Sequence, residues 1–272
     1  MPETEKLFDL ELLKKRQLRA RKSGFVSFLD LSIIEQVEER LKEIQREFRQ
    51  PAIIGGKAGF WAEKLALKNA VLLEDNNTLK LGQKKHDLII HALSLHWYDD
   101  IVGQLIQTRN GLKEDGLMLA FLYGGDTLTE LRSAFKDAEI KSENGLSPRV
   151  APMADIRALG DLLSRAGFSL NVADSIKFSV LYQTPIDLLH DLRGMGETNV
   201  MINRRKRMLR RKTFKTMCEI YISNFSDKDN ENKIRATFEI VCLTGWSPSD
   251  SQPKPLLPGS ANTHLSKVLK SY

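Results

Sequence analysis

Unbroken apolar runs too short to be buried helices constrain this 272-residue chain most. "AII" at 52–54, "LII" at 88–90 and "LMLAFLY" at 117–123 read as strands covered on both faces, the pattern of a mostly parallel sheet. Segments of helical period separate them. In residues 30–48, Ile33, Val37, Leu41, Ile44 and Phe48 recur at spacings of three and four, and Pro51 closes that helix. Residues 4–22 read as an earlier, basic helix, and 60–68, 101–112, 127–142 and 153–166 as later ones, the last ending at Gly167 in a left-handed cap. "AVLLED" at 70–75, "IKFSVLYQ" at 176–183 and "RATFEIVCLTGW" at 235–246 supply further strands. Such alternation predicts an α/β fold, a doubly wound, Rossmann-like sheet whose final strands pair antiparallel.

The organisation that follows is N-terminal helices over 1–50, a core over 51–183 and 235–246, an insertion over 184–234 and a tail over 247–272. Residues 184–224 of the insertion are expected to be helical throughout. Within them, residues 204–212 hold seven Lys or Arg, a run more often a solvated face than a nucleic-acid site, and one with few aromatics for base stacking. The Pro- and Ser-rich tail is expected to be extended or disordered.

In a doubly wound sheet a ligand sits beyond the carboxyl ends of the strands, and glycines in the first strand-to-helix turn let backbone approach it. "GGKAG" stands at that turn, with Gly55, Gly56 and Gly59. An acid about 20 residues on, at the end of the next strand, is needed to accept ribose hydroxyls; Glu74 and Asp75 both qualify. The same glycines also suit any tight turn, and the same acids any strand end. His91 and His96, with Asp99 and Asp100 behind them, do not make a metal site: a strand and its exit point the two rings apart, where a helical HExxH would converge them. There is no GxSxG elbow, and Cys218 and Cys242 form neither a CxxC pair nor a nucleophile with a visible partner histidine.

Composition narrows the setting. The chain has 41 basic and 35 acidic residues, a formal charge of +6 that favours acidic partners only weakly because the signs are interspersed. The N-terminus lacks both the apolar core of a secretory signal and the acid-poor character of a transit peptide, and no run nears the ~20 apolar residues of a membrane span. A soluble protein of a bacterial-type cytoplasm is expected.

Four long blocks then carry a family likeness: "HDLIIHALSLHWYDDIVGQLIQTRNGLKEDGLMLAFLYGGDTLTELR", "SPRVAPMADIRALGDLLSRAGF", "DLRGMGETN" and "ATFEIVCLTGWSPSDSQPKPLLPGSA". Over residues 8–261 the chain resembles the class I S-adenosylmethionine-dependent methyltransferase-fold proteins related to complex I assembly factor 5, and more distantly the methyltransferase of biotin synthesis. The resemblance implies S-adenosylmethionine as cofactor, and for the assembly-factor branch hydroxylation of an arginine on a complex I subunit, so that the partner is a protein. It assigns Gly55, Gly56 and Gly59 to the cofactor loop, Asp75 to the acid before the "LKL" segment, and Leu93–Trp97, His96 included, to the methionine end. No residue is assigned as a catalytic base.

Two departures follow. Ile53 stands where the family loop has an aspartate, and only residues 60–86 separate Gly59 from Asp87, too few for the family's two strand–helix units. One unit is therefore missing, six strands are expected, and "AVLLED" must take the inner place beside the first strand, since a sheet cannot skip a strand and stay hydrogen-bonded. Two functions follow from these features: an S-adenosylmethionine-dependent methyltransferase or related protein-modifying enzyme, or a non-catalytic assembly protein with a degenerate cofactor site.

Overall fold

A computed structural model of the chain describes residues 6–253 apart from 144, 228, 231 and 232. Two helices, α1 (Leu10–Lys22) and α2 (Phe28–Ile44), precede the first strand, β1 (Pro51–Ile54). Then follow α3 (Ala58–Lys64), β2 (Val71–Leu73), β3 (His86–Ala92), α4 (Ile101–Gly111) and β4 (Leu112–Tyr123). The chain continues through α5 (Thr129–Glu143), α6 (Ile156–Ala166), β5 (Ser169–Tyr182), α7 (Pro185–Gly194), α8 (Arg211–Phe225), β6 (Ser226–Asp227) and β7 (Lys233–Trp246).

The sheet runs β2-β1-β3-β4-β7-β5, with the two-residue β6 pairing on β7 in addition to the six expected strands. The first four are parallel, and β7 lies antiparallel between β4 and β5. β2 occupies the inner place expected of it, Ile53 pairing with Leu72 on one side and with Ile90 on the other. Beyond β2 the sheet stops. Residues 74–85 return to β3 without a helix, strapped to α4 by Gln104 and Gln107, whose carboxamides donate to the Asn76 and Asn77 carbonyls.

The period of two along each strand distributes the core. Ile53, Leu88, Ile90, Leu119 and Phe121 face one layer with α2, α3, α5, α7 and α8, whereas Ala52, Ile54, Ile89, Met118 and Ala120 face the other with α4 and α6. Both faces of β3 and β4 are thus dry, which is why their sequences read as continuous apolar runs. Gly167 caps α6 at φ 81°, as its position predicted.

Two expectations need correction. The insertion is not helical throughout: α7 ends at Gly194, Gly196 turns at φ 78°, and 195–210 form a loop pinned by distant partners. Asn199 donates to the Pro148 and Arg149 carbonyls and accepts from Met201 N–H, and Met201 bridges to Phe8 ahead of α1. These tertiary bonds override the helix-compatible composition of the basic run, which lies in this loop and the first turn of α8. The tail is also ordered at its start. Ser247 N–H donates to the Gly116 carbonyl and Gln252 to Asp115, so 247–253 fold back on the beginning of β4; the remainder lies outside the described residues.

Candidate functional site

The carboxyl ends of β1, β2 and β3 meet at the glycine turn. Gly55 N–H donates to the Leu73 carbonyl at 2.9 Å, and its φ of 137° together with a Cβ position 2.9 Å from the Ala92 carbonyl oxygen leaves room for glycine alone. Next to it, Gly56 N–H donates to Asp75 Oδ2 at 2.9 Å. The loop and the acid expected from the spacing therefore converge.

A third element converges with them. Gln17 of α1 donates to the same Asp75 oxygen at 3.2 Å, and its carboxamide occupies the place where a Cβ on Gly56 would stand. Tyr98 donates to Asp75 Oδ1 at 3.3 Å while accepting from Asn76 N–H. Asp75 is 1% exposed. Burial raises its carboxyl above the ordinary value, opposed by the hydrogen bonds from Gln17 and Gly56.

Lys57, in the middle of the glycine loop, builds a second buried cluster. Its amine lies 3.0 Å from Asp30 of α2 and 3.6 Å from Glu197, all three side chains being under a tenth exposed. Burial would lower this amine, but Asp30 and Glu197 outweigh it and raise it above its ordinary value. Burial would raise Glu197; His96, Lys57 and Trp97 hold it below the usual carboxylate range. Trp61 and Trp97 complete the cluster through their indole N–H groups, at 2.9 Å to Asp30 and 3.1 Å to Glu197. His96 Nε2 is 3.5 Å from Glu197.

The remaining candidates scatter. Gly59 sits on the exposed side of α3 with only Leu72 near, Glu74 is exposed, and Leu93 is buried at φ 52° in the turn after β3. His91 bonds Thr108, Asp99 accepts from the Leu7 and Phe8 amides, and Asp100 caps α4. These groups serve separate partners in different parts of the fold. Among the described residues no cluster of three His, Cys, Asp or Glu is placed to hold a metal ion.

In this arrangement the residues do not fit S-adenosylmethionine. A ribose needs an accessible carboxylate and a bare glycine backbone, but Asp75 is buried with three internal donors on it and Gly56 is covered by the Gln17 side chain. An apolar cavity of about 270 Å³ lies past Trp97, walled by Tyr123, Leu131, Phe135, Leu192 and Phe238. Gln17, Asp30, Lys57, Tyr98 and Glu197 were not singled out in the sequence. A signal for Gln17 existed: it shares one face of α1 with the buried Leu13 and Ala20, at spacings of four and three.

No protein-family model matches the chain. It is 33% identical over 296 aligned residues to the mitochondrial arginine-hydroxylase NDUFAF5 of Mus musculus, an alignment covering 99% of this chain and 85% of that one. Because 296 positions exceed 272 residues, the relative carries segments that this chain lacks. It is also 30% identical over 197 residues to the malonyl-[acyl-carrier protein] O-methyltransferase of Xylella fastidiosa, covering 72% of this chain and 62% of that one. A solved structure from Bacillus halodurans, described as a putative methyltransferase, superposes at TM-score 0.47 with 8% identity over 74% of this chain and 93% of that one.

Proposed function

Since the chain belongs to the NDUFAF5 family of class I methyltransferase-fold proteins, we propose that it works as a non-catalytic assembly protein, acting on a subunit of respiratory complex I, in which the cofactor cleft has become part of the core. The observation that carries this reading is the engagement of Asp75 by Gly56 N–H, Gln17 and Tyr98. The ending of the sheet at β2, one strand–helix unit short of what the resemblance implies, supports it as well.

The enzyme reading, an S-adenosylmethionine-dependent methyltransferase or related modifying activity, rests on the family and on the cavity beside Trp97. Calorimetry separates the two. The proposal expects no heat of binding on titrating the full chain with millimolar S-adenosylmethionine; saturable binding would overturn it. A bacterial-type cytoplasm is the proposed compartment, although the NDUFAF5 relatives are mitochondrial. No helix among the described residues is long and apolar enough to cross a membrane.

A further inference from the structure

The cavity past Trp97 does not open into neutral surface. Its mouth carries Arg149 and Arg193, and two further clefts join it there, both sharing Arg16 and Thr198. One runs along α1 past Lys15 and Arg19; the other runs along the 195–210 loop past Arg204 and Lys206. Some of this charge is internally matched, Arg149 with Glu139 at 2.6 Å, Arg205 with Glu143, and Arg204 with Asp9 at 3.9 Å. Among the described residues, Lys15, Arg19, Arg193 and Lys206 pair with no carboxylate, and Arg16 is held below its ordinary value by burial first and then by Arg204 and Arg19.

A second observation falls at the junction of all three clefts. The Thr198 hydroxyl oxygen is buried yet has no hydrogen-bond partner. A buried polar atom without a partner costs on the order of 1–3 kcal/mol, so a small side-chain shift that brings this hydroxyl to a hydrogen-bonding group in the clefts is favoured.

We propose that the cavity and its two flanking clefts form one docking site for an extended acidic segment of a partner protein. A bulky apolar side chain of that segment fills the cavity, its backbone meets Thr198, and its carboxylates lie against Lys15 and Arg19 on one side and Lys206 on the other. A compact anion would use one cleft; two basic clefts diverging from a single apolar hole match a chain that passes over it. The proposal rests on the reading of this molecule as a protein that binds a partner, but not on the state of its cofactor cleft.

The probe is a fluorescent peptide of ~12 Asp and Glu residues with one central Trp, long enough when extended to span ~40 Å. Fluorescence anisotropy with the full chain is expected to show saturable binding that weakens about tenfold when the Trp becomes Ala, as loss of a buried aromatic anchor does. Arg19→Glu and Lys206→Glu should each weaken it several-fold. Thr198→Val should weaken it while leaving the melting temperature unchanged or raising it, since the hydroxyl bonds nothing in the fold. Equal binding of the Trp and Ala peptides, or no effect of either charge reversal, overturns the proposal. Capture of the chain by anionic vesicles with no peptide binding overturns it too, in favour of a membrane surface. Repeating the titration with millimolar S-adenosylmethionine keeps the two readings apart: cofactor binding with peptide affinity intact sinks only the non-catalytic reading, and absence of peptide binding in a chain that ignores the cofactor sinks only this one.

Discussion

Replacing Lys57 by Met keeps the length of the side chain and removes the one cation shared by Asp30 and Glu197. Both carboxylates are almost completely buried, at 3.0 and 3.6 Å from the amine. Stripping one partner from a buried ion pair typically costs 3–5 kcal/mol, because the surviving charge cannot return to water. Trp61 and Trp97 still donate to the two acids, which places the expected loss near the lower end, about 3 kcal/mol. At roughly 2–4 °C per kcal/mol for a domain of this size, the melting temperature should fall by roughly 6–12 °C. Thermal and urea denaturation of wild type, Lys57→Met, Glu197→Gln and the double variant complete the cycle. The double variant should lose less than the sum of the singles, since Glu197→Gln removes the charge that Lys57→Met strands. A loss below about 1 kcal/mol for Lys57→Met would refute the argument that the middle of the glycine loop is a structural ion cluster; Lys57 would then be available to a ligand, and its substitution would show in binding rather than in stability.

Two further outcomes test other parts of the site. Gly55→Ala forces a side chain onto φ 137° and against the Ala92 carbonyl, and should cost at least about 1–3 kcal/mol, whereas Gly59→Ala on the open side of α3 should be neutral or stabilise by about 0.5–1 kcal/mol; equal effects would contradict the geometry. His91 is held neutral, its pKa driven by burial from 6.5 to about 3, so the unfolded chain takes up the proton first and the stability this group confers is complete above pH 6.5 and lost as pH falls towards 3. From pH 6.5 to 5 this amounts to roughly 2 kcal/mol, and urea midpoints for His91→Gln should lack that part of the slope.

The sheet was legible because it is written in local patterns. Continuous apolar runs marked the buried strands, and the short interval between Gly59 and Asp87 implied both the missing unit and the inward move of β2. The 195–210 loop was not legible, because its basic composition suits a helix and what prevents one is Asn199 reaching the Pro148 and Arg149 carbonyls and Met201 pairing with Phe8. The glycine loop was half legible. Its convergence with Asp75 followed from strand spacing, but its cover, Gln17, is 58 residues from Asp75 in sequence and reaches it only through the docking of α1. Lys57 stood in plain view within "GGKAG", yet nothing nearby in sequence indicates that its two counter-ions come from α2 and from the loop after α7.

Gln17 is attached to the loop it covers, and that changes how the fold depends on its surroundings. A protein whose cleft closes on a diffusible ligand gains stability as RT ln(1 + [L]/Kd), so its folded population follows the ligand supply. A side chain on a tethered helix acts at a fixed effective concentration that the cell does not set. With Gln17 held on Asp75 and over Gly56, the glycine turn is completed from within the chain and needs no added ligand to fill it.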